Sequence, residues 1–171
     1  MAEWDSAFAE YYAARADVMR STAYLLCGDW HRAEDLVQSA FTKLYLAWGR
    51  VSRHEVLDAY LRRIIVRGYL DQWRRGWWRR EQVADRLPDR PIPAEDHEDR
   101  LVLLRALARL PRRQRAVVVL RYWADLPISD VAQTLDCSEG TVKSQASRAL
   151  QALRAQLPDS PLPATPPERT P

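Results

Sequence analysis

Apolar residues recur along this chain at three- and four-residue intervals, the spacing of one face of an α-helix, and alternation of period two is scarce. Phe8, Tyr11, Tyr12, Val18, Met19, Thr22 and Leu26 predict a first helix over roughly 6–27. Gly28 can end it, and Asp29 can cap the next. Ala33, Leu36, Val37, Ala40, Phe41, Leu44 and Trp48 then form a clear apolar stripe that should stop near Gly49. After a polar segment, a third helix is expected from about Asp58, with Leu61, Ile64, Ile65 and Gly68 on one face and Tyr60 and Trp73 on its flanks. Further on, Leu101, Leu104, Leu107 and Leu110 mark one helix. Pro111 lies near the start of the next, which carries Val117, Val118, Leu120 and Trp123. Ile128–Leu135 and Thr141–Leu157 follow, with a short turn between them. The pattern predicts an all-α chain in two small helical domains.

Between the helical groups the pattern fails. Residues 87–99 hold three Pro, few apolar residues and clustered acids, a composition that cannot bury enough apolar surface to offset ordering entropy. From Pro158 onward six Pro in fourteen residues mark a second segment of this kind. The expected organisation is a domain at 1–80, an acidic Pro-rich linker at 81–99, a domain at 100–157 and a disordered tail at 158–171.

Composition narrows the class. A chain of 171 residues with 47% apolar content suits one domain or two small ones and is not wholly disordered. There is no run of about 18 apolar residues and no basic and apolar leader after Met1, so no membrane insertion or secretion is expected. Cys27 and Cys137 are too few for a disulfide framework or a cysteine zinc site and read as small buried apolar residues. A cytoplasmic protein is the expectation.

Charge sharpens the picture. The net +3 hides a partition: residues 1–57 carry −2, 58–80 carry +5, 81–99 carry −5, 100–157 carry +6 and 158–171 carry −1. Two basic blocks around an acidic one point to two modules that face nucleic acid. Of the 26 basic residues only Lys43 and Lys143 are Lys. Arg grips phosphate bidentately and stacks on bases. Arg15, Arg20 and Arg32 lie outside the basic blocks, where coding bias in a GC-rich genome accounts for them.

Two segments carry candidate chemistry. From Ile128 to Arg148 the sequence fits a helix-turn-helix: Val131, Leu135 and Val142 supply the contact between helices, Ala132 is small where they cross, and Ser138 is a good N-cap. The second helix then presents Thr141, Lys143, Ser144, Gln145, Ser147 and Arg148, polar and basic groups suited to base edges and phosphates in a major groove. Asp136 stands at the turn position usually held by Gly, and Pro127 replaces a common Ser cap, which would start the first helix later, near Ser129. From Tyr60 to Arg80 aromatics alternate with Arg. Arg63 and Arg67 fall opposite Leu61, Ile64 and Ile65, with Arg62 beside them, a stripe suited to DNA with unstacked bases. Trp73 reads as packing, and Trp77 and Trp78 stay open between packing and stacking on bases.

Three stretches now carry a family resemblance. Ala33–Trp48 looks like sigma region 2.2, Ala59–Arg75 like regions 2.3–2.4, and Leu107–Tyr122 through Gly140–Ser144 like region 4. The chain resembles a group IV, or extracytoplasmic-function, RNA polymerase sigma factor over about residues 5–156, most like the actinobacterial SigE-like subfamily. The resemblance implies a subunit that binds core RNA polymerase, directs it to promoters and helps melt the duplex, with no catalysis and no cofactor of its own. It implies that Glu34, Asp35, Leu36, Gln38 and neighbours such as Phe41 dock on the clamp helices of the β′ subunit. Asp35 and Gln38, one turn apart, can share an exposed edge, whereas Phe41 reads as core. It implies minus-ten recognition by about Val51–Leu57 and by Arg62, Arg63, Arg67 and Arg74. It implies minus-thirty-five recognition by the second helix of the helix-turn-helix, docking of region 4 on the β flap, and an acidic linker that threads toward the RNA exit path. An anti-sigma factor, soluble or membrane-bound, is a further partner the family often has. Arg67 stands where the family often has Asn, and Gln145 where it often has Arg, so the promoter sequence is left open.

Two other readings compete. A helix-turn-helix regulator acting on duplex DNA without polymerase would leave the first domain unexplained. A DNA-processing enzyme, such as a recombinase, would need a nucleophile or metal cluster in 1–80, and the sequence offers none. His31, His54 and His97 are scattered, and Glu95, Asp96, Glu98 and Asp99 read as a solvated charge run.

Overall fold

A computed structural model of the chain describes residues 3–50, 54–72 and 97–157, all discussed below. The expected linker up to residue 96, the tail from 158, Val51–Arg53, Trp73, Arg74, Trp77 and Trp78 lie outside the described residues. Seven α-helices and no strand occur among the described residues: α1 (Glu3–Cys27), α2 (Trp30–Ala47), α3 (His54–Asp71), α4 (His97–Ala108), α5 (Arg112–Val118), α6 (Ile128–Leu135) and α7 (Glu139–Gln156). The chain divides into two compact units, Met1–Arg86 and Leu87–Pro171.

In the first unit α1 runs until Gly28, which takes φ 72°, a left-handed conformation that glycine adopts without a Cβ clash. The Asp29 carboxylate then caps α2 by accepting from the Arg32 backbone N–H at 2.9 Å. The stripe read from sequence packs inward: Ala33, Val37, Ala40 and Leu44 are fully buried against Met19, Ala23 and Leu26 of α1 and Leu61, Ile65 and Val66 of α3. Phe8, Phe41, Tyr45 and Trp48 close one end with edge-to-face contacts at 5.0–6.3 Å. At the other end Tyr24 stacks on Trp30 at 4.1 Å. The third helix starts at His54, four residues before the expected Asp58, so the segment 54–57 is helical rather than a loop.

Two features fix how α1, α2 and α3 meet. A Cβ on Gly68 would lie 2.8 Å from Leu36 Cδ2, so a larger residue there would push the Leu36 side chain aside. Asp58 on α3 gathers donors from two helices. Its carboxylate accepts from the Tyr11 hydroxyl at 2.7 Å and pairs with Arg15 at 2.7 Å and, more loosely, Arg62 at 3.9 Å. Burial, together with that hydrogen bond, pushes the Tyr11 phenol well above its ordinary range, so it stays a donor.

In the second unit α4, α5 and α6 pack on α7, which buries Val142, Ala146, Ala149, Leu150 and Leu153. Helix α4 begins at His97, inside the segment expected to be linker. After α5 the chain makes a π-helical turn, Val119–Trp123, in which the Ala124 N–H reaches back to the Val119 carbonyl. That turn places Arg121 in the interior, where its guanidinium donates to the Leu126 carbonyl, and leaves Trp123, expected on the apolar stripe, 55% exposed.

Replacing Gly68 with Val should overpack the α2–α3 seam and destabilise the first unit by about 1–3 kcal/mol, read as an earlier thermal unfolding transition. Asp58→Ala should cost about 2 kcal/mol, because Tyr11 loses a charged acceptor; an unchanged transition would show that the carboxylate does not hold α1 to α3.

Candidate nucleic-acid and polymerase interfaces

The helix-turn-helix is built as its sequence requires. Helix α6 starts at Ile128, not later at Ser129 as the missing Ser cap implied. Pro127, at φ −63°, is preorganised for a helix start, and its carbonyl accepts from the Asp130 and Val131 N–H groups, both at 3.1 Å. Asp136 ends α6 at φ 52° and ψ 57°, so the position usually held by Gly is left-handed here too. Its strain is supported by a bond from the Cys137 N–H to the Ala132 carbonyl, 3.0 Å, and by Arg113 of α5 donating to the Leu135 carbonyl, 3.0 Å. Cys137, expected to be buried, is half-exposed beside this turn, whereas Cys27 is buried with its thiol on the Ala23 carbonyl.

Ser138 then caps α7 by accepting from the Thr141 N–H at 3.1 Å. Val131, Ala132, Leu135 and Val142 are all buried. The far side of α7 exposes Lys143, Ser144, Ser147 and Arg148, with Thr141 and Gln145 half-buried at its edge. The Ser144 hydroxyl folds back to the Thr141 carbonyl at 3.0 Å. Glu139 and Gln151, not singled out from sequence, border the same face and are exposed. The six sequence-derived candidates therefore share one helix, most of them at its surface.

On α3 the Arg stripe is uneven. Arg67 is exposed, while Arg62 and Arg63 are half-buried. The Nε atoms of Arg62 and Arg63 are buried and lack a hydrogen-bond partner within the protein. Arg62 leans toward Asp58, which leaves its charge only part-neutralised at 3.9 Å.

On α2 the four docking candidates separate. Asp35 and Gln38 are exposed. Leu36 is 6% exposed and faces Gly68. Glu34 turns toward α1, where Arg20 Nε donates to its Oε2 at 2.9 Å. Thr42, Lys43 and Leu46 extend the exposed side toward the end of α2, with Leu46 77% exposed. Phe41 is buried, as its sequence position implied. Arg15 and Arg20, ascribed to coding bias from sequence, instead join α1 to Asp58 and to Glu34. No local spacing could have found these two pairings, since Asp58 and Glu34 each lie on another helix.

Among the described residues there is no group of three or more His, Cys, Asp or Glu able to hold a metal ion. Nor is any helix among them long and apolar enough to cross a membrane.

Comparison with known proteins now decides between the readings. The Sigma-70 region 2 family model matches residues 11–79 and the Sigma-70 region 4 model matches residues 100–153. The chain is 36% identical over 156 residues to the RNA polymerase sigma-E factor of Streptomyces coelicolor, covering 88% of this chain and 85% of that protein. The chain belongs to the extracytoplasmic-function RNA polymerase sigma factors. It is also 34% identical to the ECF RNA polymerase sigma factor SigE of Mycolicibacterium smegmatis, over 92% of this chain and 62% of that one. Among solved structures, the Bartonella quintana sigma factor RpoE in complex with the anti-sigma factor NepR shares its fold, with a TM-score of 0.71 and 24% identity over 90% of this chain and 98% of that one. The sigma factor's first unit is thus its region 2 and its second unit its region 4, and α7 is the second helix of the region 4 helix-turn-helix.

The two caps of this turn should respond oppositely. Asp136→Gly should stabilise region 4 by a few tenths to about 1 kcal/mol, because left-handed strain is relieved against a gain in unfolded-chain entropy. Ser138→Ala should destabilise it by about 1 kcal/mol through loss of the cap. Chemical unfolding of the two variants measures both signs.

Proposed function

We propose that this sigma factor divides promoter recognition between its units, with region 2 binding core RNA polymerase and the minus-ten element and region 4 reading the minus-thirty-five element as duplex. The observation that carries the proposal is the exposed polar and basic side of α7, on a helix whose other side is buried in region 4. Thr141, Lys143, Ser144, Gln145, Ser147 and Arg148 offer donors and acceptors at its surface, the chemistry of a major-groove helix.

In region 2 the polymerase contact falls to Asp35 and Gln38 on the exposed side of α2. Leu36 and Glu34 act from behind them, Leu36 by seating α2 on α3. The β′ clamp helices are the docking partner on this reading and the β flap is that of region 4. Arg62, Arg63, Arg67 and Arg74 serve the minus-ten strand. Buried guanidinium nitrogens without an acceptor are costly, and a phosphate beside Arg62 and Arg63 would supply one. The acidic segment up to residue 96 serves as the linker, and its charge keeps it from competing with the two units for DNA. The Bartonella relative of the same fold is held by an anti-sigma factor, and a similar inhibitor is part of this reading. The protein contributes binding rather than chemistry and acts in the cytoplasm, where polymerase and promoters meet.

A regulator that works without polymerase would need α7 but not the exposed side of α2. Asp35→Arg should therefore lower affinity for core polymerase at least tenfold while promoter-duplex binding by region 4 persists. Lys143→Ala and Arg148→Ala should each weaken duplex binding, and the Arg148 change should reduce the salt dependence by about one ion if that side chain meets phosphate. Core affinity unchanged in Asp35→Arg would remove α2 from the interface, and duplex affinity unchanged in both other variants would remove α7.

A further inference from the structure

Arg20 lies on α1, outside every segment to which a role was assigned, yet its guanidinium meets three side chains. Its Nε donates to Glu34 Oε2 at 2.9 Å and its NH2 to Glu34 Oε1 at 3.4 Å. The same NH2 donates to the Tyr12 hydroxyl at 3.0 Å, and NH1 donates to Asp17 Oδ1 at 3.0 Å. The Tyr12 ring lies 5.9 Å beneath the guanidinium carbon. Two side chains of α1 thus hold the group on one side while it grips a carboxylate of α2 on the other. The part-buried, bidentate fork joins α1 to α2. Its geometry does something else. A carboxylate only accepts, so the Gln38 side chain, one turn along, must turn its amide nitrogen to Glu34 Oε1, at 3.4 Å. With its amide nitrogen so engaged, the exposed Gln38 side chain keeps its carbonyl oxygen, Oε1, as an acceptor on the same side of α2 as Asp35.

We infer that Arg20 is a positioning residue for polymerase docking: through Glu34 it holds the Gln38 side chain by its amide nitrogen, so that the Gln38 carbonyl oxygen is a preset acceptor for a hydrogen-bond donor from the polymerase. The inference rests on the α2 docking reading. It assigns Glu34, whose carboxylate is engaged by Arg20 and Gln38, to orientation, and leaves direct contact to Gln38 and Asp35. Without Arg20, Glu34 would be free to rotate, the Gln38 amide could flip or swing, and part of the bound geometry would have to be ordered on docking.

The test is a double-mutant cycle on the full chain, read as equilibrium affinity for core polymerase, with thermal unfolding of each variant as the check on folding. Arg20→Ala should weaken binding about three- to tenfold. In a Gln38→Ala background the same change should have little further effect, because there is no amide left to orient. Arg20→Lys, which keeps the charge but loses the bidentate fork, should recover part of the loss. Asp35→Arg, measured alongside, reports on the docking reading itself. If Asp35→Arg weakens binding but Arg20→Ala has no effect, or the same effect with and without Gln38, the positioning role is overturned while docking through α2 stands. If Asp35→Arg and Gln38→Ala both leave affinity unchanged, the docking surface is wrong and the role of Arg20 falls with it.

Discussion

The seam between α2 and α3 is the constraint on which region 2 depends. Leu36 occupies the space a side chain on Gly68 would need, so α2 and α3 meet at that point. That meeting point goes with one rotation of each helix. With Leu36, Val37, Ala40 and Leu44 turned inward, Asp35, Gln38 and Thr42 have no direction left but outward. With Leu61, Ile65 and Tyr69 turned inward, Arg67 is carried to the surface and Arg62 and Arg63 to its margin. The seam thus goes with exposed polar side chains on α2 and Arg side chains at the surface of α3 within a single small unit.

Charge is handled differently in the two units. Region 2 spends several of its ionic groups on itself: Asp58 collects Tyr11 and Arg15 from α1, and Glu34 collects Arg20. These contacts tie α1 to its neighbours. Region 4 instead draws Arg115 and Arg121 into its interior, so fewer of its cations are at the surface than the block charge of 100–157 implies. Lys143 and Arg148 on α7 are among those that remain exposed. The whole-chain net charge of +3 is therefore a poor guide to where DNA would be held.

Much of this was legible from periodicity. The stripe on α2, the cap at Asp29, the left-handed stop at Gly28 and the helix-turn-helix contacts among Val131, Leu135 and Val142 each follow from local chemistry, because helix caps and helix faces are encoded within a few residues. The nonlocal features were not legible. Arg15 and Arg20 looked like compositional background because Asp58 and Glu34 lie 43 and 14 residues away. Leu36 sat among docking candidates in the sequence, yet its place on the α2 helix turns it toward Gly68. Trp123 matched an apolar stripe that assumed 3.6 residues per turn, and the π-helical turn shifted the phase and left it exposed. Pro127 misled in a simpler way: the lack of a hydroxyl cap matters less where a fixed φ already favours the first turn.

The central claim is that both surfaces serve one act, bringing core polymerase to a specific promoter. Run-off transcription with purified core polymerase, the full chain free of any inhibitor, and a library of promoter templates tests it most directly. The account predicts discrete transcripts from a subset of templates that depend on the chain. Promoter binding by the chain with no chain-dependent transcript from any template would contradict it.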